Sequence, residues 1–186
     1  MSFLGTFNKL FRLIFLLVFL AVPTAIYFAV QDPPGMPSAP GDADQQAENF
    51  EQKIIFLERQ WEQKETTEVG ISAAEINAAY ARERGDTMRV AFIGNQTELF
   101  LVQRIAMLTI YIQAIGKTGV SQRRITFTPT DLKIGKIPVP LTMANSLIQE
   151  KLHDPAMQEQ LRLPAFISTV KIKDSQLVLG TSPKGR

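Results

Sequence analysis

The sequence contains no cysteine and only one histidine, His153, in 186 residues. Absence of cysteine excludes a disulfide scaffold, a thiolate zinc site, an iron–sulfur cluster, a cysteine nucleophile and the lipid-modified cysteine of a bacterial lipoprotein. A lone histidine leaves little for metal or general-base chemistry. There is no glycine-rich phosphate loop, no paired metal motif and no nucleophile elbow. Ser121 has no histidine near it in sequence, and Asp131 sits among Thr126, Thr128 and Thr130, where a carboxylate near a turn ordinarily serves as a hydrogen-bonding residue. His153 lies between a helical segment and Asp154-Pro155, an ordinary helix-end position. The expectation is a protein that is not an enzyme and holds neither cofactor nor metal.

Charge is also missing where it is most informative. Leu13 to Val30 are 18 residues without a charged side chain, close to the ~20 that span a hydrocarbon core. Lys9 and Arg12 precede this run, whereas no Lys or Arg follows it before Lys53. The positive-inside rule then places residues 1–12 in the cytoplasm, the anchor at 13–30, and everything after it outside the cytoplasmic membrane. A cleaved signal peptide is the competing reading. Its small-residue cleavage site fits poorly, because Ala25 follows Pro23 by two positions and Ala29 follows Tyr27 by two.

Residues 31–47 carry four prolines and two glycines and read as an extended linker. An extracytoplasmic domain over 48–186 follows. Phe50, Ile54, Leu57 and Trp61, spaced by four, three and four, predict an amphipathic helix over 48–66, which docks either on its own domain or on a partner protein. Ser72-Ala-Ala-Glu75 is a capping box, with Ile71 and Ile76 as its hydrophobic staple, and the helix it starts should stop at Gly85.

From Met88 the spacing changes to alternation rich in β-branched and aromatic residues, predicting strands. A turn is expected at Gly94 to Thr97 and a looser connection from Gly116 to Gln122. Between them lies one bent strand or two. On one face of that run stand Ala106, Leu108, Ile110, Ile112 and Ala114, and on the other Thr109, Tyr111 and Gln113. A helix carrying Leu141, Ala144, Leu147, Ile148 and Leu152 is expected after Pro140, then a hairpin around Asp174-Ser175. The fold class is α+β, with helices packed on a curved, mostly antiparallel sheet.

Beyond the anchor's two flanking cations the chain is formally neutral, which argues against nucleic acid as a partner. Residues 31–86 hold 12 acidic and 5 basic groups and residues 87–186 hold 6 and 13, so the two halves attract. The other use of the basic half is a surface of Arg104, Lys117, Arg123, Arg124, Lys133 and Lys136 facing anionic lipid or an acidic polymer.

The stretch Ile125 to Leu152, with Ser72-x-x-Glu75-Ile76-Asn77, Ile134 to Pro140 (IGKIPVP), Leu163-Pro164 and the closing KIKDSQLVLG, resembles the YpmS-like family of bacterial single-pass envelope proteins. The resemblance implies a membrane-anchored envelope domain and no catalytic residues. Two functions are consistent with it. One is a binding module that holds lipid or another amphiphile between Leu108, Ile110 and Ile112 of the sheet and Leu147 and Ile148 of the helix. The alternative is an assembly protein that engages envelope partners through Phe50, Ile54, Leu57 and Trp61.

Overall fold

The computed structural model describes residues 24, 27–30, 35–38, 41–105, 107–143, 145–146 and 162–182. Among the described residues it is α+β, with two antiparallel sheets and helices that include α1 and α2: α1 (Ala43–Glu62), β1 (Thr67–Ile71), α2 (Ala73–Arg84), β2 (Met88–Ile93), β3 (Gln96–Ile105), β4 (Leu108–Ser121), β5 (Arg124–Ile134), β6 (Ile137–Pro138), β7 (Thr169–Lys173) and β8 (Gln176–Thr181). Residues 141–143 and 145–146, within the helix expected after Pro140, are also helical. Most of the expected anchor, 13–30, lies outside the described residues. Among the described residues no helix is long and apolar enough to cross a membrane.

The smaller sheet has the order β1-β8-β7. Its registers, Ile71 opposite Leu177, and Val69 and Val170 both opposite Leu179, put the branched residues on one face. Helix α1 closes that face. Leu57 and Ile71 are fully buried and join Leu163, Ile167 and Leu179 in one cluster, with Phe50, Ile54, Ile76 and Ile125 packed around it. Burying a side chain such as Leu57 contributes about 1.5 to 3 kcal/mol. The outer face is polar, with Lys171 Nζ donating to both Glu68 carboxylate oxygens at 2.6 and 2.9 Å.

The helix begins at Ala43, inside the stretch expected to be linker, and ends at Glu62 rather than at residue 66. Past Gly41 the sequence ADQQAEN holds neither proline nor glycine, and Asp44 in the first turn suits the helix dipole. At the other end Lys64 takes the left-handed conformation (φ 61°), which stops the helix and leads into β1. That strand was not expected. Its alternation, Thr67, Val69 and Ile71, is short and interrupted by Gly70.

The larger sheet is a meander, β2-β3-β4-β5-β6. The long alternating run is two strands, and β4 continues to Ser121, so Gly116 to Gln122 is not a loose connection. The turn is instead Gln122-Arg123, both with positive φ. Position 116 within β4 is glycine because a Cβ there would strike the Thr128 carbonyl and the Phe127 ring. The closing hairpin turns at Asp174-Ser175 as expected, but it pairs with β1 rather than with the meander.

Candidate functional site

The residues of the Ser72–Asn77 motif all have structural tasks. Ser72 Oγ accepts from the Glu75 amide at 3.2 Å, and the Ser72 amide donates to Glu75 Oε2 at 2.7 Å, completing the capping box. Glu75 also receives Lys53 from α1, with Nζ 2.7 Å from Oε1 and 2.9 Å from Oε2, while the same ammonium donates to the Gly70 carbonyl at 2.8 Å. One lysine therefore binds α1, the end of β1 and the start of α2. Burial disfavours the Glu75 carboxylate, but the bonds from Lys53 and Ser72 outweigh it and hold its pKa below the usual value. Asn77 is buried and pairs with the backbone of Val90, donating from Nδ2 to its carbonyl at 2.9 Å and accepting its amide on Oδ1 at 2.6 Å. That side chain takes the place of a further strand at the edge of β2.

The larger sheet has two unlike faces. On one, Arg89, Phe100, Arg104, Tyr111, Gln113 and Lys133 share the side set by the registers Arg89–Phe100–Gln113–Lys133. A cavity of about 500 Å³ opens on this face between Gly35–Ser38 and Asp86, Arg89, Arg104, Thr109 and Tyr111. Arg89 is held by Asp86, Nε to Oδ1 at 2.8 Å and Nη2 to Oδ2 at 2.5 Å, and also donates to the Pro37 carbonyl. The Arg89 guanidinium keeps the Asp86 carboxyl below its usual range. Arg89 thus fastens the segment after the apolar run to the sheet at the rim of the cavity. Deeper on the same face, buried Gln113 donates to Glu98, and Gln113 Oε1 has no partner among the described residues.

The opposite face is mostly apolar, with Gln103 opposite Ile110 and Thr97 and Thr118 toward the other end. Leu99, Leu101, Leu108, Ile110, Ile112, Ala114, Leu132 and Ile134 share it by register. Ala114 and Leu132 are buried, with Leu99, Ile112, Phe127 and Val139 packed on them. Burial declines toward the β3–β4 turn: Ala114 is 6 % exposed, Ile110 and Ile112 are half-buried, and Leu108 is 42 % exposed. At that end the apolar run meets the sheet, since the Lys136 amide donates to the Phe28 carbonyl at 3.0 Å. Gly135 (φ 58°) is required there, because a Cβ would strike the carbonyls of Phe28 and Ala29.

Of the expected pocket residues, Leu108, Ile110 and Ile112 do share one face, while Leu147 and Ile148 lie outside the described residues. The expected partner stripe is used within the chain: Leu57 is fully buried, Phe50 and Ile54 pack on the same cluster, and Trp61 is half-buried beside Leu163 and Ile167. What α1 exposes instead is Ile55 and Phe56. The six expected basic residues do not form one surface. Arg104, Lys117 and Lys133 share the polar face, Lys133 pairs with Asp131 at 3.2 Å, and Arg123 and Arg124 lie at the β4–β5 turn, where Arg123 donates to the Pro164 carbonyl at 2.9 Å. Attraction between the two halves is local, through Glu68–Lys171 and Asp86–Arg89. His153 lies outside the described residues, and no group of three metal-ligating side chains occurs among those described. The docking of Phe28 on Lys136 was not legible in sequence, because it is made by backbone groups.

No protein-family model, curated protein or solved structure matches this chain.

Proposed function

We propose that this protein is a single-pass membrane protein whose extracytoplasmic domain holds a lipid or similar amphiphile against the apolar face of the larger sheet. The observation that carries the reading is the graded row Leu108, Ile110, Ile112, Ala114. A row belonging to a closed core would be buried along its length. This one opens at the end of the sheet where Phe28 and Ala29, near the end of the uncharged run, are docked, and again at Val120 at the far end of β4. Apolar lining with few polar groups is what an acyl-chain site needs, and it fits the scarcity of catalytic side chains. The charge asymmetry around residues 13–30 and the resemblance to the YpmS-like family favour the same placement in the cytoplasmic membrane, with the domain outside.

The assembly reading loses its main support, because the stripe it required is used in the core of the smaller sheet. The lipid reading is tested with the full chain extracted in mild detergent and its co-purifying lipid quantified by mass spectrometry. We expect one amphiphile class near stoichiometric amount, depleted in Ile110→Glu, which places a charge on the graded row. Lipid content equal to that of an unrelated single-pass protein, and unchanged by the substitution, would sink the proposal.

A further inference from the structure

The strand β5 leaves the larger sheet early. Its last pair with β4 is Ile112–Ile134, and the last pair of β2 with β3 is Met88–Leu101. Beyond these, among the described strands, β3 and β4 pair only with each other, through Val102–Tyr111, Gln103–Ile110, Arg104–Thr109 and Ile105–Leu108, with Gly35–Ser38 across a cavity from the polar face. Four residues of strand extend roughly 13 Å at ~3.3 Å per residue. The result is a two-stranded arm projecting from the end of the sheet at which Phe28 docks.

A two-stranded ribbon is marginal in water unless something covers it. This one carries its apolar residues at the far end, where Met107 is fully exposed (101 %) and Leu108 follows it. Polar groups stand further back. Arg104 is exposed on the arm, Tyr111 lies at its base, and the Gly135 amide donates to the Tyr111 carbonyl at 2.6 Å. Lys136, also exposed, is the residue whose amide binds Phe28. Tyr27 and Phe28, themselves exposed and in edge-to-face contact at 5.6 Å, complete the level. An apolar tip below a belt of tyrosine, arginine and lysine is the order of side chains found across a bilayer interface.

We infer that the β3–β4 arm enters the bilayer beside the end of the apolar run, with Met107 and Leu108 in the acyl region and Arg104 and Lys136 among anionic headgroups. The inference rests on the anchor reading proposed above. The occupant follows from position: the bond between Lys136 and Phe28 fixes the base of the arm near the end of an 18-residue uncharged stretch, so a membrane that takes up that stretch is within reach of the tip. The arm would connect the lipid phase to the open end of the graded apolar row.

The natural absence of cysteine makes the test direct. Three single-cysteine versions of the full chain, Met107→Cys, Asn95→Cys at the opposite end of the sheet and Leu16→Cys within the apolar run, are labelled with an environment-sensitive fluorophore. Each is reconstituted into vesicles containing phosphatidylglycerol. We expect the probes at 107 and 16 to shift to the blue and to be quenched by spin-labelled acyl chains, while the probe at 95 is quenched several-fold more by aqueous iodide. If position 16 is reached by lipid quencher but position 107 is as open to iodide as position 95, the arm inference is overturned and the anchor stands. A probe at 107 shielded from both quenchers means a protein contact and equally overturns it. If position 16 remains aqueous, the anchor reading falls and the arm with it.

Discussion

The two sheets treat the same kind of side chain in opposite ways. In the smaller sheet the inward branched residues pack into one cluster with α1, and Leu57 and Ile71 lose all contact with solvent. Across the larger sheet an apolar row of similar composition is closed at Val90, Ala114 and Leu132 and opens toward Leu108. The outer face of the smaller sheet is polar and ion-paired, whereas neither end of the larger sheet's apolar row carries a charge. The α1 unit buries its apolar face throughout, whereas the meander buries Phe100 on one face and leaves part of the apolar row on the other open for binding. Hydrophobic residues alone do not distinguish these roles; their burial does.

The comparison breaks most visibly on truncating one leucine from each region. Leu57→Ala removes a side chain in contact with both helices' cluster and should destabilise by about 2 to 5 kcal/mol, as large-to-small core changes do. Leu108→Ala should cost below about 0.5 kcal/mol, the range of exposed positions. Thermal unfolding of the full chain in detergent measures both. Equal losses would mean that the row around Leu108 is core, and the distinction between the sheets would fail.

The second prediction sharpens the account of the α1 unit. Glu75 has its pKa lowered by Lys53 and Ser72 against the penalty of burial, so its contribution is fully present above the ordinary glutamate value and is lost as pH falls through the lower folded value. Glu75→Gln should therefore be less stable than the native chain at neutral pH, by about 1 to 2 kcal/mol for a weakened cap and a lost charge-assisted bond. The difference should shrink below the usual glutamate range. Melting curves of both chains from pH 7 to pH 3 check this, and a gap that widens on acidification would contradict the sign.

Much of this arrangement was legible in the sequence, and the illegible parts share a cause. Ser72, Glu75 and Gly85 marked the limits of α2 because caps are local chemistry, and Asp174-Ser175 marked its turn for the same reason. The spacing of Phe50, Ile54 and Leu57 announced a helix but not what it would meet, since a core stripe and a partner stripe have the same composition. Strand β1 escaped because five residues interrupted by Gly70 carry too little periodicity, and with it went the division into two sheets. For the candidate site, alternation placed Leu108, Ile110 and Ile112 on one face. Their graded exposure depends on where β5 stops, which Gly135 and the backbone of Phe28 determine, and no side-chain pattern records such a contact.

The smallest expected effect comes from the outer face of the smaller sheet. Lys171 and Glu68 are about half exposed, and their attraction is screened by water and by salt, so the short distance of 2.6 Å implies little energy. Lys171→Ala should lower stability by no more than about 1 kcal/mol, and less again at high ionic strength. Lys53–Glu75 is as short at 2.7 Å, yet its carboxylate is buried and answers to a helix cap as well, so its loss should resist added salt. Denaturant titrations of Lys171→Ala and Glu75→Gln at low and high salt separate the two. If both effects vanished together with salt, burial would not be what distinguishes the interior of the α1 unit from its surface, and the contrast with the open meander would rest on composition alone.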